Sequence, residues 1–350
     1  MKKVTIPLQR KHIQRTAVKR SLYQRTMRQL VWTVGMLATL TSCIDEDLSD
    51  CGKDYQITCQ VKLVTELQNE LAQALDEPKE VPIRKELERA LAPIFSNVAN
   101  DVDLSFYTNG QLSYNEQHAI HSSNASFTLY LPANSYHHYA IANLQAIPQL
   151  EVNHKERETD LRIEQLKGDT LDPHHRAVFV GDVPMRIEDE RNQYNVSLYM
   201  QNCTGALVID DRGFHPEEVI AYVTGLSSAF QPCDSTFQFT RPTVLRTHAL
   251  TTTGYHAFHT TGFPSLPASA SAALRRTAGA PVLWRYHVLL KMDGKWTKSV
   301  LSVEQPLEAG KLRVIKAHIR EDGGIASTEA DVGVSIELDW KPGGDHDVEI

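Results

Sequence analysis

Apolar and polar positions alternate over most of the chain after residue 54, and the alternation is mostly of period two. From Tyr55 to Leu67, Ile57, Cys59, Val61 and Leu63 alternate with Thr58, Gln60 and Lys62, which predicts a half-buried strand. Helical spacing follows in two segments, 66–74 and 82–95. Ile83, Leu87, Leu91 and Ile94 fall on one helical face, with Pro82 suited to the first turn. Strand patterns then dominate. Val102, Leu104 and Phe106 run up to Asn109-Gly110, a two-residue turn signal, and the chain returns through Leu112 and Tyr114. Phe127, Leu129 and Leu131 predict a further strand, residues 136–144 another, and residues 177–180 a late one; the charged stretch 151–172 reads as a loop with a short helix. Beyond the polar run 188–192, strands are predicted around residues 196–200, 206–209, 219–224, 235–239, 281–292, 295–303, 312–319 and 332–340, with Asp293-Gly294 as the strongest hairpin signal. The Thr, Ser, Ala, Gly and Pro-rich residues 240–281 read as an excursion outside the core. Short strands at spacings of roughly 8 to 12 residues with few helical patterns predict an all-β fold of antiparallel sandwiches.

One apolar run breaks this pattern. Residues 30–40 are uncharged, follow Arg28, and stop at Leu40-Thr41-Ser42-Cys43. A bilayer-spanning helix needs about 20 apolar residues, so the run reads as a cleaved lipoprotein signal over residues 1–42. Cys43 becomes the new N-terminus, where its sulfur takes diacylglycerol as a thioether and its amine takes an acyl chain. Residues 1–26 already hold eight basic side chains, and Met27-Arg28 opens a compact signal of its own, so the functional start is expected at Met27. Behind Cys43 come Asp45, Glu46, Asp47, Ser49, Asp50 and Cys51, a polar tether over residues 43–53. Cleavage removes nine Lys or Arg and no acid, moving the formal net charge from -7 to -16. Such an acidic body argues against nucleic acid and against adsorption to anionic lipid, which leaves the acyl chains as the membrane contact. The remaining 308 residues suit two domains, placed at 54–190 and 191–350.

The Cys, the acidic cluster and Asp47-Leu48-Ser49-Asp50-Cys51 resemble the start of the FimB-type fimbrial anchor lipoproteins of anaerobic Gram-negative bacteria. Asn202-Cys203-Thr204-Gly205-Ala206, Tyr222-Val223-Thr224-Gly225-Leu226-Ser227 and Val334-Ser335-Ile336-Glu337-Leu338-Asp339-Trp340 extend the resemblance along the chain. It implies two tandem transthyretin-like β-sandwich domains, to which the helical segments add an insertion in the first. It also implies an outer-membrane anchor that holds a polymeric fimbrial stalk, and it gives Asp45, Glu46 and Asp47 the role of a surface-export address. The function expected is therefore non-enzymatic: lipid at Cys43 holds the chain on the outer membrane at the base of a fimbrium, and a sheet edge joins the pilin of the stalk by strand addition. Two rival readings are a surface glycan-binding or nutrient-capture lipoprotein, for which Tyr136, Tyr139 and Tyr255 could supply an aromatic platform, and a fimbrial tip adhesin.

Cysteine usage adds two expected bridges. With Cys43 acylated, spacing favours Cys51 with Cys59 and Cys203 with Cys233, although Cys59 also fits as a buried small side chain in its strand. Catalytic signatures are missing: there is no Gly-x-Ser-x-Gly, no phosphate-cradling Gly-rich motif and no paired-His zinc motif. His137-His138, His174-His175 and His256 with His259 lack the carboxylate or thiolate partners of a closed metal shell. Glu217-Glu218 and Glu156-Arg157-Glu158 read as solvated charge clusters. No cofactor or metal is expected beyond the lipid on Cys43.

Overall fold

The computed structural model describes residues 53–153, 155–168, 170–188, 193–267 and 283–340. The signal segment, Cys43, Asp45, Glu46, Asp47 and Cys51 lie outside the described residues.

Seven strands form the first sheet, in the spatial order β3 (Gln111–Ser122), β2 (Ala99–Thr108), β5 (Ser135–Ala142), β8 (Phe179–Arg186), β9 (Gln193–Met200), β1 (Lys53–Lys62) and β4 (Asn124–Leu131). β1 keeps the predicted alternation: Tyr55, Ile57, Cys59 and Val61 are buried, and Gln56, Gln60 and Lys62 are exposed. The β2–β3 hairpin turns at Asn109 and Gly110, with φ of 51° and 74°, the left-handed pair that matches strand twist. β3 and β4 occupy opposite edges of this sheet, yet only Ser123 separates them in sequence. The two edges must therefore meet at that residue, and the sheet curls back on itself around its buried face.

Two helices close the open side of that curl. α1 (Leu67–Ala74) and α2 (Val81–Leu91) bury Leu71, Ile83, Leu87 and Leu91. These side chains share one core with Ile57, Leu104, Phe106, Phe179 and Leu198 of the first sheet. The same core takes in Ala206, Val208, Ala257, Leu312 and Val314, which belong to a second sheet. The helical insertion thus lies between two sheets, and ion pairs of Lys79 with Asp210 (3.2 Å) and Lys316 with Glu80 (3.1 Å) fasten the turn that joins its helices.

The second sheet has five strands in the order β15 (His248–Thr252), β16 (Tyr255–Gly262), β10 (Cys203–Asp210), β19 (Leu312–Ile319) and β20 (Ile325–Ser327). Its other face packs on a third sheet, ordered β14 (Val244–Arg246), β11 (Glu218–Thr224), β17 (Trp284–Met292), β18 (Lys295–Val303) and β21 (Val332–Trp340). Leu207, Ile209, Phe258 and Ile315 meet Val223, Trp284, Tyr286, Val288 and Leu301 there in a separate core. Gly205 lets the two sheets close, since a Cβ on it would sit 3.1 Å from the Trp284 ring. The first and second sheets each contain one parallel pair among their antiparallel ladders, β1 with β9 and β10 with β19, whereas the third is antiparallel throughout. The chain is all-β in class, with stacked sheets forming sandwich-like units.

Three features differ from the sequence reading. The polar run 188–192 connects β8 to β9, neighbours in one sheet, and the change of sheet comes only between Met200 and Cys203. Residues 244–262, read as an excursion, form β14, β15 and the interior strand β16; Thr260 and Thr261 are buried there, and β-branched Thr fits a sheet interior once its hydroxyl is bonded, as in the Thr204–Thr261 pair at 2.8 Å. The charged stretch 151–172 contributes β6 (Leu150–Asn153) and β7 (Arg162–Gln165) to a four-stranded sheet with β12 (Ala229–Gln231) and β13 (Thr236–Gln238). Phe230, Ile163 and Phe263 of this region pack on Ile141 and Val180, covering part of the outer face of the first sheet.

The cysteines also differ. Cys59, Cys203 and Cys233 are free thiols. Cys203 belongs to the core between the second and third sheets, whereas Cys233 packs beside Tyr107, Tyr139 and Leu161, so the expected Cys203–Cys233 bridge does not form. Burial pushes the Cys59 thiol up to about 12 and raises Cys203 further still. Alkylation of the native protein is expected to label Cys233 and to reach Cys59 and Cys203 only after unfolding. A disulfide-linked pair of peptides carrying Cys203 and Cys233 would contradict this.

Candidate functional site

Strand addition needs a length of backbone hydrogen-bonded on one side only. Among the described residues, the strands of eight or more residues that end a sheet are β3, β4 and β21. The start of β3 is covered, because Leu112 N–H donates to the Glu156 carbonyl and Glu158 N–H to that of Gly110. β4 pairs with β1 from Lys53↔Leu131 to Gln60↔Asn124, and its other edge meets no described strand. β21 pairs with β18 through a register shift between Trp296 and Lys298, and carries alternating Val334 and Ile336. A β-bulge and scattered charge such as Glu337 are the usual means of blunting an edge. β4 has no charged residue at all along its eight residues, Asn124–Leu131.

The polar residues singled out in the sequence are dispersed. His138 is buried, stacks on Phe106 with ring centroids 4.3 Å apart, and donates through Nδ1 to the Ser105 carbonyl at 3.1 Å. His137, next to it, points to the other face. It bonds Glu158 through Nδ1 and Asp182 through Nε2 (3.1 Å), and the Tyr139 hydroxyl donates to Glu158 at 2.9 Å. His174 is buried and accepts from the Asn202 amide at 2.6 Å. His259 is buried on β16. Glu217 pairs with Lys291 at 3.2 Å and accepts from the Gly294 amide, which holds its carboxyl below the usual range. Among the described residues no group of three or more His, Cys, Asp or Glu is placed to hold a metal ion.

Sequence reasoning passed over one polar cluster. Asp103 lies on β2, buried, and accepts from Ser105, Asn115 and Gln117 while pairing with Lys155. Asp101, two residues earlier, is buried too; desolvation raises its carboxyl, partly offset by backbone amides at 144–146. Acids at the alternate positions 101 and 103, set between the apolar row of Val102, Leu104 and Phe106, were the available signal. With its hydrogen bonds satisfied within the chain, the cluster pins the β6–β7 region to the sheet and presents no free nucleophile. The aromatic platform proposed from Tyr136, Tyr139 and Tyr255 does not exist, since all three are buried. Tyr136 donates to the Pro132 carbonyl (3.0 Å).

No helix among the described residues is long and apolar enough to cross a membrane. No protein-family profile matches the chain, and no curated protein sequence is similar to it. Solved structures do resemble it. A candidate adhesin from Bacteroides thetaiotaomicron superposes with a TM-score of 0.50 at 11% identity, over 81% of this chain and 96% of that one. A candidate polysaccharide-binding protein from the same organism gives 0.49 at 11% identity over 79% and 99%. The fimbrial anchor protein Mfa2 from Porphyromonas gingivalis gives 0.46 at 8% identity over 82% and 99%. At such identity the likeness to the first is one of fold.

Proposed function

We propose that this chain is a non-enzymatic lipoprotein of the outer membrane, held by a diacylglycerol and an acyl chain on Cys43, that anchors a fimbria at the cell surface. The observation that carries this reading is the order of Leu40-Thr41-Ser42-Cys43, the acids Asp45, Glu46 and Asp47, and then β1 within ten residues of the lipid. A lipid site, a short acidic tether and a folded double sandwich together make a protein displayed on a membrane. The shared fold with a candidate adhesin agrees with display at a surface.

The stalk pilin joins by strand addition to an open edge, with β4 and β21 offering the longest uncovered runs. Main-chain hydrogen bonds supply affinity in such a contact, and alternating side chains supply specificity. Isolation of the intact protein from detergent-solubilised outer membranes tests the reading. Fimbrial subunits in stoichiometric amounts are the expected companions; isolation of the protein alone, from cells that carry fimbriae, would count against anchoring.

A further inference from the structure

The outer face of β4, β1 and β9 carries an unusual composition. Because Tyr55, Ile57, Cys59 and Val61 point into the core, the alternate residues Gln56, Thr58, Gln60 and Lys62 point outward. The register sets Thr128, Ser126 and Asn124 of β4 beside Gln56, Thr58 and Gln60, and sets Gln193, Asn195, Ser197 and Tyr199 of β9 beside Gln56, Thr58, Gln60 and Lys62. Tyr130 ends the β4 row. Of these twelve positions only Lys62 is charged, and Asp54, in register with Tyr130, adds one acid at the end of the β1 row, in a chain that is 23% charged. Apart from the two tyrosines, none is aromatic or aliphatic.

Both tyrosines are exposed, Tyr130 at 66% and Tyr199 at 48%, whereas every other described tyrosine is buried or half-buried. They stand at opposite ends of the patch: the partners of Tyr130 and Tyr199 on β1 are Asp54 and Lys62. That separation corresponds to about 27 Å along the strand and about 10 Å across three strands. The polar rows are ordered within the sheet, Gln193 donating to Gln56 at 3.1 Å and Thr58 bonding Ser126 at 3.1 Å. Lys62 sits 5.8 Å from the centre of the Tyr199 ring, so even the one cation is engaged locally.

We propose that this face binds an uncharged polysaccharide, with Tyr130 and Tyr199 stacking on sugar rings and the amides and hydroxyls between them bonding to sugar hydroxyls. The occupant follows from charge and composition. An anionic polymer would meet one cation on an acidic protein, too little to offset repulsion. A protein interface has a core of aromatic, Met, Arg or aliphatic side chains, and this patch has none between its two ends. A neutral polyhydroxylated chain needs donors and acceptors side by side, which Asn, Gln, Ser and Thr provide, and desolvating uncharged groups costs far less than desolvating charges. The long narrow outline fits a chain of several rings lying along the strands. This inference stands on the face alone and does not depend on the anchor reading.

Native electrophoresis of the intact, detergent-solubilised protein through gels containing dextran, mannan, laminarin or xylan tests it, with alginate and hyaluronan as acidic controls. At least one neutral polysaccharide is expected to retard the protein, and the acidic ones are not. Tyr130→Ala and Tyr199→Ala should each weaken binding about tenfold, an effect of about 1.4 kcal/mol, and the double variant should abolish it. Both side chains are exposed, so unchanged thermal melting serves as the folding control. A second pair, Ser126→Glu and Asn195→Glu, should remove binding by placing charge at the centre. The proposal is overturned if no neutral polysaccharide in the panel binds, if the double variant binds within about twofold of the parent, or if an acidic polymer binds through Lys62. It is overturned equally if the variants change oligomer size or release a copurifying protein without any effect on glycan, because the face is then a protein interface.

Discussion

Cys43→Ala is expected to move the protein, together with any fimbria joined to it, from the cell to the medium while leaving the folded body intact. Each buried acyl CH₂ contributes about 0.8 kcal/mol to membrane attachment, and stable anchoring takes two chains or one chain plus a basic patch. On the proposed processing the chain from Cys43 onward carries a formal -16 and has no excess of basic charge to hold it, so removing the proposed acylation site would remove essentially the whole attachment. Folding is unaffected because the substitution precedes β1, which begins at Lys53, and every described core residue lies at or after Tyr55. Cell fractionation with immunoblotting, beside electron microscopy of the medium, reads the result. Fimbriae that stay on the mutant cells at wild-type levels would reject the anchor role. Loss of the protein from both fractions would show that the tether also serves folding or export.

The parts of this fold that were legible in the sequence are those whose partners are near or whose periodic pattern runs over many residues. β1, α2 and the two hairpins at Asn109-Gly110 and Asp293-Gly294 follow directly from local pattern, and both turn pairs adopt positive φ as their residue types require. β6, β7, β12 and β13 were not legible, because strands of three or four residues contain too few alternations to show a period, and their pairing joins residues 163 and 230. Nor could the corner at Ser123 be read: a continuous run from Gln111 to Leu131 gives no sign that its halves serve opposite edges of one sheet. The helical insertion had a readable apolar face, yet its second partner, the outer face of β10, β16 and β19, lies more than a hundred residues away. The glycan platform failed for a related reason. Alternation says that half the residues of a strand face outward, but not which face another sheet will cover, so Tyr136, Tyr139 and Tyr255 are interior while Tyr130 and Tyr199 are not.

Acidification from pH 7 to about 4 is expected to unfold the protein, driven by histidines that the fold keeps neutral. Burial lowers His138 to about 4, His174 to about 3, His259 to about 4 and His287 to about 4. The physical cause is visible in the bonding: the second ring nitrogens of His138 and His174, both Nε2, and Nδ1 of His259 and His287 are buried with no hydrogen-bond partner. Protonation would bury a cation on each ring; on His138, His259 and His287 the partnerless nitrogen leaves an N–H without an acceptor, and on His174 the added proton on Nδ1 would face the donating Asn202 amide. A histidine in the unfolded chain titrates near 6.5. Between that value and the lower native one the unfolded state binds more protons, so stability is at its plateau above about pH 6.5 and falls as the pH drops towards 4. A lowering from 6.5 to about 4 corresponds to roughly 3 kcal/mol for one fully buried ring, and two such rings, His138 and His174, already approach the total stability of about 5 to 15 kcal/mol typical of a folded protein. Circular dichroism at fixed ionic strength over this range should show a cooperative transition. His138→Gln and His174→Gln introduce amides that do not titrate; each should lower stability at pH 7 by roughly 1 to 3 kcal/mol through lost packing and bonding, yet flatten the fall in stability between pH 6.5 and 4. A variant that loses stability at pH 7 and retains the full parental slope would show that its ring does not carry the acid response, and a parent that stays folded at pH 4 would show that these rings gain access to water at little cost.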